Sequence, residues 1–207
     1  MDERVRRTVE TYERVADTYA DLHGDRDVVA DIVERFVTAV DEASDTDADS
    51  PPRVLDVGCG PGWESAAFAE AGFDPVSFDL TLSFLDQTRE RVPGATVVRG
   101  DMRALPFADD GFDGLWACAS LLHVPEAEVP ATLDDFERVL RDGGVVLVSL
   151  KRSDAPVDRD RESPYDADER HFERYDPETV TELFTDAGFT VRDVDAEGGW
   201  VAVCAVA

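Results

Sequence analysis

Apolar residues recur at steps of four and three from the start of the chain. Val5, Val9, Tyr12, Ala16 and Tyr19 fall on one face of an N-terminal helix. Val28, Val29, Ile32, Val33, Phe36, Val37 and Val40 mark the buried stripe of a second helix, and the Asp-, Ser- and Pro-rich stretch 41–52 reads as the loop that ends it. The pattern then changes to short β-branched runs, predicting strands over 53–57, 76–78, 96–99, 112–119 and 145–150, with helices over 64–71, 83–91 and 126–141 between them. Such strict alternation calls for a parallel sheet with helices on both faces and right-handed crossovers. The tail departs from it. A helix over 178–187 is stopped by Gly188, and strands over 189–194 and 200–206 joined by Glu197, Gly198 and Gly199 predict a closing antiparallel hairpin. The stretch 152–174 is too polar for a core and too long for a plain connection, so residues 152–176 are expected to form a lid or substrate loop.

With 207 residues the chain has room for one α/β domain and too little for two. The expected divisions are N-terminal helices over a ligand site (1–50), a ligand-binding core (51–151), the loop (152–176), and a C-terminal helix and hairpin (177–207). No stretch reaches the ~20 apolar residues of a spanning helix, and the charged N-terminus lacks the centre of a signal peptide, which predicts a cytoplasmic protein without a membrane partner. Cys59, Cys118 and Cys204 show no metal or disulfide spacing, so reduced thiols and no metal site are expected. Acidic residues outnumber basic ones 47 to 20, a net charge of −27, and lysine is almost absent. That field repels phosphate backbones and anionic lipid, while 43% apolar content argues against disorder. The acidity resembles that of proteins from halophilic archaea, where salt screens the self-repulsion. It is read as a solubility feature that says nothing of substrate.

The chemistry gathers at strand ends. Val54-Leu55-Asp56-Val57-Gly58-Cys59-Gly60-Pro61-Gly62 runs an apolar strand into alternating glycines and then a helix, a turn against which a ligand can lie. Asp56 puts a carboxylate before the first glycine, where a pyrophosphate would be repelled and a cationic amino acid group held. Asp79, 21 residues after Gly58, suits a carboxylate that accepts from both ribose hydroxyls. Asp101 follows the third strand, placed to accept an adenine amino hydrogen, with Met102 beside the ring. VLDVGCGPGWES, FDLT, GDMRALPF and LLHVPEAEVPATLDDFERVLRDGG resemble the successive motifs of class I S-adenosylmethionine-dependent methyltransferases, from about Tyr12 to the C-terminus.

The resemblance implies a Rossmann-like methyltransferase fold: a doubly wound, mostly parallel seven-stranded sheet with the last strand inserted antiparallel. It implies S-adenosyl-L-methionine as cofactor. Gly58 and Gly60 would pack beside its methionine part, Asp79 would hold the ribose, Asp101 with Met102 the adenine, and Asp56 stands where the family places its glycine-motif acid. Cys59, Leu80, Cys118 and Tyr19 are expected to complete the cofactor site.

Methyl transfer from a sulfonium is an in-line displacement with a neutral leaving group, so alignment can supply much of the rate and a base is needed only for a protonated acceptor. His123, after the fourth strand, is the best candidate base, against the reading that it merely lines the pocket. Tyr12 from the N-terminal helix and His171, Phe172 and Tyr175 from the loop are candidate substrate contacts; Trp116, inside a strand, is expected in the core. The expected acceptor is a small molecule, with tRNA disfavoured by charge. A nicotinamide oxidoreductase is a rival that calls for GxGxxG, which this chain lacks, and a non-catalytic cofactor-binding module is another.

Overall fold

The computed structural model describes residues 2–44, 50–155 and 163–207. The loop at 41–52 and the lid at 152–176 therefore lie partly outside the described residues.

The alternation builds the expected sheet. Strands β1 (Arg53–Val57), β2 (Asp74–Asp79), β3 (Thr96–Arg99), β4 (Phe112–Cys118) and β5 (Leu140–Arg152) run parallel, and the C-terminal pair β7 (Thr190–Glu197) and β8 (Trp200–Val206) joins antiparallel through β8 on β5. The order β3-β2-β1-β4-β5-β8-β7 contains the seven expected strands. A two-residue strand β6 (Arg174–Tyr175) adds an eighth, paired to β5 off this path. It takes Tyr175 out of the expected loop and buries its ring in the core.

Helices α3 (Trp63–Glu70), α4 (Leu82–Arg91), α5 (Val129–Val139) and α6 (Pro177–Asp186) are the crossovers. The helix expected over 126–141 divides: residues 126–128 form a 3-10 turn, and Leu140 and Arg141 already belong to β5. Period-2 alternation along β1 sends Leu55 and Val57 to the face covered by α5 and α6, while Val54 turns to the face where α2 (Ala30–Ala43) brings Phe36 and α3 brings Phe68. On that second face Phe36, Phe68 and Trp116 meet with ring centroids 5.1 to 5.6 Å apart, so Trp116 is core as expected. Gly114 on β4 makes this packing possible, since a Cβ there would stand 2.8 Å from both Phe36 and Val40. The second helix is shorter than its apolar pattern: Val28 lies in a preceding 3-10 turn and is 79% exposed. No helix among the described residues is long and apolar enough to cross a membrane.

Helix α1 (Glu3–His23) lies across the carboxyl edge of the sheet. Glu13 fixes it there by accepting from the Leu82 and Ser83 amides at 2.7 and 3.0 Å and from the Ser83 hydroxyl at 2.6 Å. It thus caps α4, whose own N-cap residue Thr81 supplies no side-chain bond. The face of α1 that is buried includes Thr8, Thr11 and Val15, rotated from the apolar stripe that predicted it. The threonines are buried because residues 163–172 strap the helix: the His171 amide donates to Thr8 Oγ1 at 2.9 Å, and the Glu169 amide to Thr11 Oγ1 at 3.3 Å.

Candidate active site

A cleft of about 750 Å³, open to solvent, lies between α1 and the carboxyl ends of β1 to β4, where the strand order reverses. Its floor is the glycine turn. Gly58 has φ +75°, and a Cβ there would come 2.3 Å from that of Ser120, whose hydroxyl is tied to the Val57 carbonyl at 2.7 Å. Gly60, φ +52°, presents open space to the cleft. Its amide donates to Asp79 Oδ2 at 3.0 Å, and the Thr81 amide donates to Asp79 Oδ1 at 2.7 Å. One carboxylate thereby aligns the β1 and β2 turns and keeps free lone pairs in the cleft. Burial raises the Asp79 carboxyl above its usual range, opposed by these amide bonds.

Asp56 does not join it. It shares the α3-side face with Val54, is 1% exposed, and accepts from the Ser65 hydroxyl at 2.6 Å. Burial, helped by Glu64, pushes it up to about 8, so near neutral pH it is an uncharged hydrogen-bonding group beneath the turn and not a counter-charge for a cationic ligand. Cys59 is likewise beneath the turn, buried with Sγ 3.8 Å from Thr88 Oγ1.

Asp101 and Met102 do line the cleft, as do Leu80, Cys118, Tyr12, Tyr19 and His123. The Asp101 carboxylate is turned onto Arg103, which donates to both oxygens at 2.9 and 2.6 Å. Burial works against its ionisation, but the Arg103 bonds prevail and hold the carboxyl below its usual range. An adenine amino group reaching Asp101 must share those oxygens with the guanidinium. Burial raises the Cys118 thiol to about 12, which keeps it protonated.

His123 Nδ1 lies 2.6 Å from the His171 carbonyl, a pure acceptor, so Nδ1 carries the proton. Nε2 must then accept, and Tyr12 Oη donates to it at 3.0 Å. Burial lowers this imidazole to about 4. A histidine with its one lone pair already engaged and so low a basicity is a fixed neutral wall of the cleft, with no accepting position left for an acceptor's proton. His171 and Phe172 act behind it. His171 supplies the carbonyl while its ring meets Glu173 at 2.8 Å, and Phe172 packs on His123 with centroids 4.9 Å apart.

A profile described as Methyltransferase domain matches residues 54–144, the span from β1 into β5 that forms the cleft's floor. Demethylmenaquinone methyltransferase of Renibacterium salmoninarum is 38% identical over 97 residues, covering 47% of this chain and 40% of that protein. Malonyl-[acyl-carrier protein] O-methyltransferase of Erwinia pyrifoliae is 38% identical over 103 residues, covering 47% and 36%. The chain thus spans less than half the length of these two curated relatives. The 1,6-didemethyltoxoflavin-N1-methyltransferase of Burkholderia thailandensis, solved with 1,6-didemethyltoxoflavin and S-adenosylhomocysteine bound, superposes with a TM-score of 0.75 at 20% identity, over 98% of this chain and 87% of that one.

Residues 54–144 thus match a methyltransferase domain, and the whole chain shares the fold of the solved methyltransferase on which it superposes.

Several features of this cleft are absent from its sequence motifs. Ala119, φ +53°, carries the turn after β4 without a glycine to announce it, and Ser120 seats Gly58. Phe84 packs against Tyr12 and Tyr19 at 5.4 and 5.2 Å, closing the α1 side of the cleft. Arg170, paired with Asp168 at 2.6 Å, lies over Tyr12, Tyr165 and Phe172 at 4.6 to 5.3 Å. The aromatic residues of α1 and of the 163–172 strap were visible as types, but only the strap's path shows that they enclose one arginine.

Proposed function

We propose that the chain binds S-adenosylmethionine in this cleft and transfers its methyl group to a small-molecule acceptor. The observation that carries the reading is Asp79, held between the Gly60 and Thr81 amides at the strand-order reversal, inside the segment that matches the methyltransferase domain. The residues fit the ligand. Gly60 leaves the space a side chain would fill, Asp79 retains lone pairs for two ribose hydroxyls, and Met102 and Phe78 supply apolar surface beside Asp101 for the adenine. When bound, the sulfonium supplies an activated methyl group. The chain's own work is to orient: α1 and its aromatic residues cover the cleft, and the His123–Tyr12 pair fixes the wall on the acceptor side. A small acceptor is supported by the demethylmenaquinone and 1,6-didemethyltoxoflavin methyltransferases that the chain resembles, and the net charge of −27 disfavours tRNA. Free cysteines and a salt-tolerant acidic surface accord with a cytoplasmic enzyme.

Titration calorimetry should show S-adenosylhomocysteine binding and no comparable binding of NADH. Incubation with methyl-labelled S-adenosylmethionine and a cell extract should place label in the small-molecule fraction. Preference for NADH would favour an oxidoreductase, and binding without any transfer would leave a binding module.

A further inference from the structure

Next to the cleft stands a cation with no carboxylate within ion-pair distance among the described residues, Asp168 acting on it only from farther away. Lys151 is the single lysine of the chain, and it lies at the carboxyl end of β5 on the same face as Ser149, whose hydroxyl meets Cys118 Sγ of the cleft at 3.2 Å. Its ammonium sits 3.6 Å from the centroid of Phe172 and 6.0 Å from that of Trp200. Phe172 in turn packs on His123, so one ring separates the ammonium from the cleft wall. Acidic residues exceed basic ones by more than two to one, yet among the described residues no carboxylate lies within ion-pair distance of Lys151. The neighbouring cations are committed: Arg170 is paired with Asp168, and Arg174 donates to the Arg152 carbonyl. Half-burying an ammonium with no described carboxylate at ion-pair distance is a cost, and a partner anion recovers it. Trp200 beside it is 41% exposed, leaving an aromatic face open to a ligand.

The chemistry of the wall leads to the same ligand. With His123 engaged by Tyr12 and protonated on Nδ1, this imidazole offers no base to an acceptor that must lose a proton. An acceptor that arrives already ionised needs none. We infer that Lys151, with Phe172 and Trp200, forms the acceptor subsite and selects a small aromatic acceptor carrying an oxyanion, a carboxylate or an ionised phenol.

This inference rests on the methyltransferase reading above. In the transfer, an oxygen lone pair of the acceptor forms the O–CH3 bond while the C–S bond breaks toward sulfur. The sulfonium's positive charge and the acceptor's negative charge vanish together, and no proton moves. Lys151 stabilises the anion before transfer and loses that partner as the charge is consumed, so it tightens acceptor binding and does not accelerate the chemical step.

The test uses the chain loaded with S-adenosylhomocysteine in about 1 M KCl, where surface charges are screened and the half-buried ammonium is not. Benzoate and benzamide are titrated as probes into the wild type, Lys151→Met and Lys151→Arg. Benzoate should bind the wild type, lose about tenfold or more of its affinity in Lys151→Met, and recover part of it in Lys151→Arg. Benzamide should bind weakly and equally to all three. Equal binding of benzoate to wild type and Lys151→Met, no benzoate binding at all, or a preference for benzamide overturns the subsite. Failure of S-adenosylhomocysteine to bind the wild type overturns the methyltransferase reading instead, and unchanged S-adenosylhomocysteine affinity in Lys151→Met shows that the variant is folded.

Discussion

Three aspartates stand within or just past the carboxyl ends of the first three parallel strands, and their fates differ with their surroundings. Asp79 accepts two backbone amides and faces the cleft, Asp101 is shared with Arg103, and Asp56 is buried against Ser65. Asp79→Ala should therefore weaken S-adenosylhomocysteine binding by about 1–3 kcal/mol, through loss of ribose hydrogen bonds and of the turn's alignment. Calorimetry giving an unchanged affinity would remove Asp79 from the site. His123 yields a pH prediction. Its folded value near 4 lies below the unfolded 6.5, so the unfolded chain binds more protons between them. The stability it contributes is complete above about 6.5 and is lost as pH falls toward 4. His123→Gln should flatten the melting temperature over that window relative to wild type, and parallel profiles would show that the ring already titrates freely in the folded protein.

At the scale of elements, the site is a set of turns held by contacts from outside themselves. The glycine turn is kept in place by Ser120 after β4, α4 is capped by Glu13 from α1, and α1 is strapped through Thr8 and Thr11. Gly58→Ala would force a side chain onto φ +75° and to 2.3 Å from Ser120. It should cost about 1–3 kcal/mol of stability in denaturant titration, with a loss of S-adenosylhomocysteine affinity. Wild-type behaviour on both counts would mean that the turn relaxes freely. Element existence was legible because each strand and helix has its own period. Element limits were not: Val28 belongs to the helical pattern yet lies exposed, and Leu140 to Gly144 continue β5 although their sequence reads as a helix end and a turn.

Across the whole molecule, net charge governs how the fold responds to salt. Surface ion pairs such as Arg6 with Glu3 and Glu10 are each worth little and weaken in salt, whereas mutual repulsion within a net charge of −27 is relieved by it. Relief should win, so the melting temperature should climb steadily with KCl, by about 2–4 °C for each kcal/mol gained in a chain of this size. A melting temperature that falls or stays level as KCl is added would show that local pairs outweigh the net field.

The sequence by itself determined the alternation of elements, the antiparallel ending, the glycine turn and the carboxylate after β2. Each of these is written within a few neighbouring residues, as a period of 2 or 3.6 or as a backbone conformation that only glycine adopts readily. Only the tertiary structure decided which aspartate accepts backbone amides at the cleft, which proton His123 carries, why two threonines of α1 are buried, and that Lys151 has aromatic neighbours and no carboxylate at ion-pair distance among the described residues. The His123 proton and the buried threonines depend on residues 48 to 163 positions away in the chain, and burial and hydrogen-bond partners at that distance leave no local pattern to read.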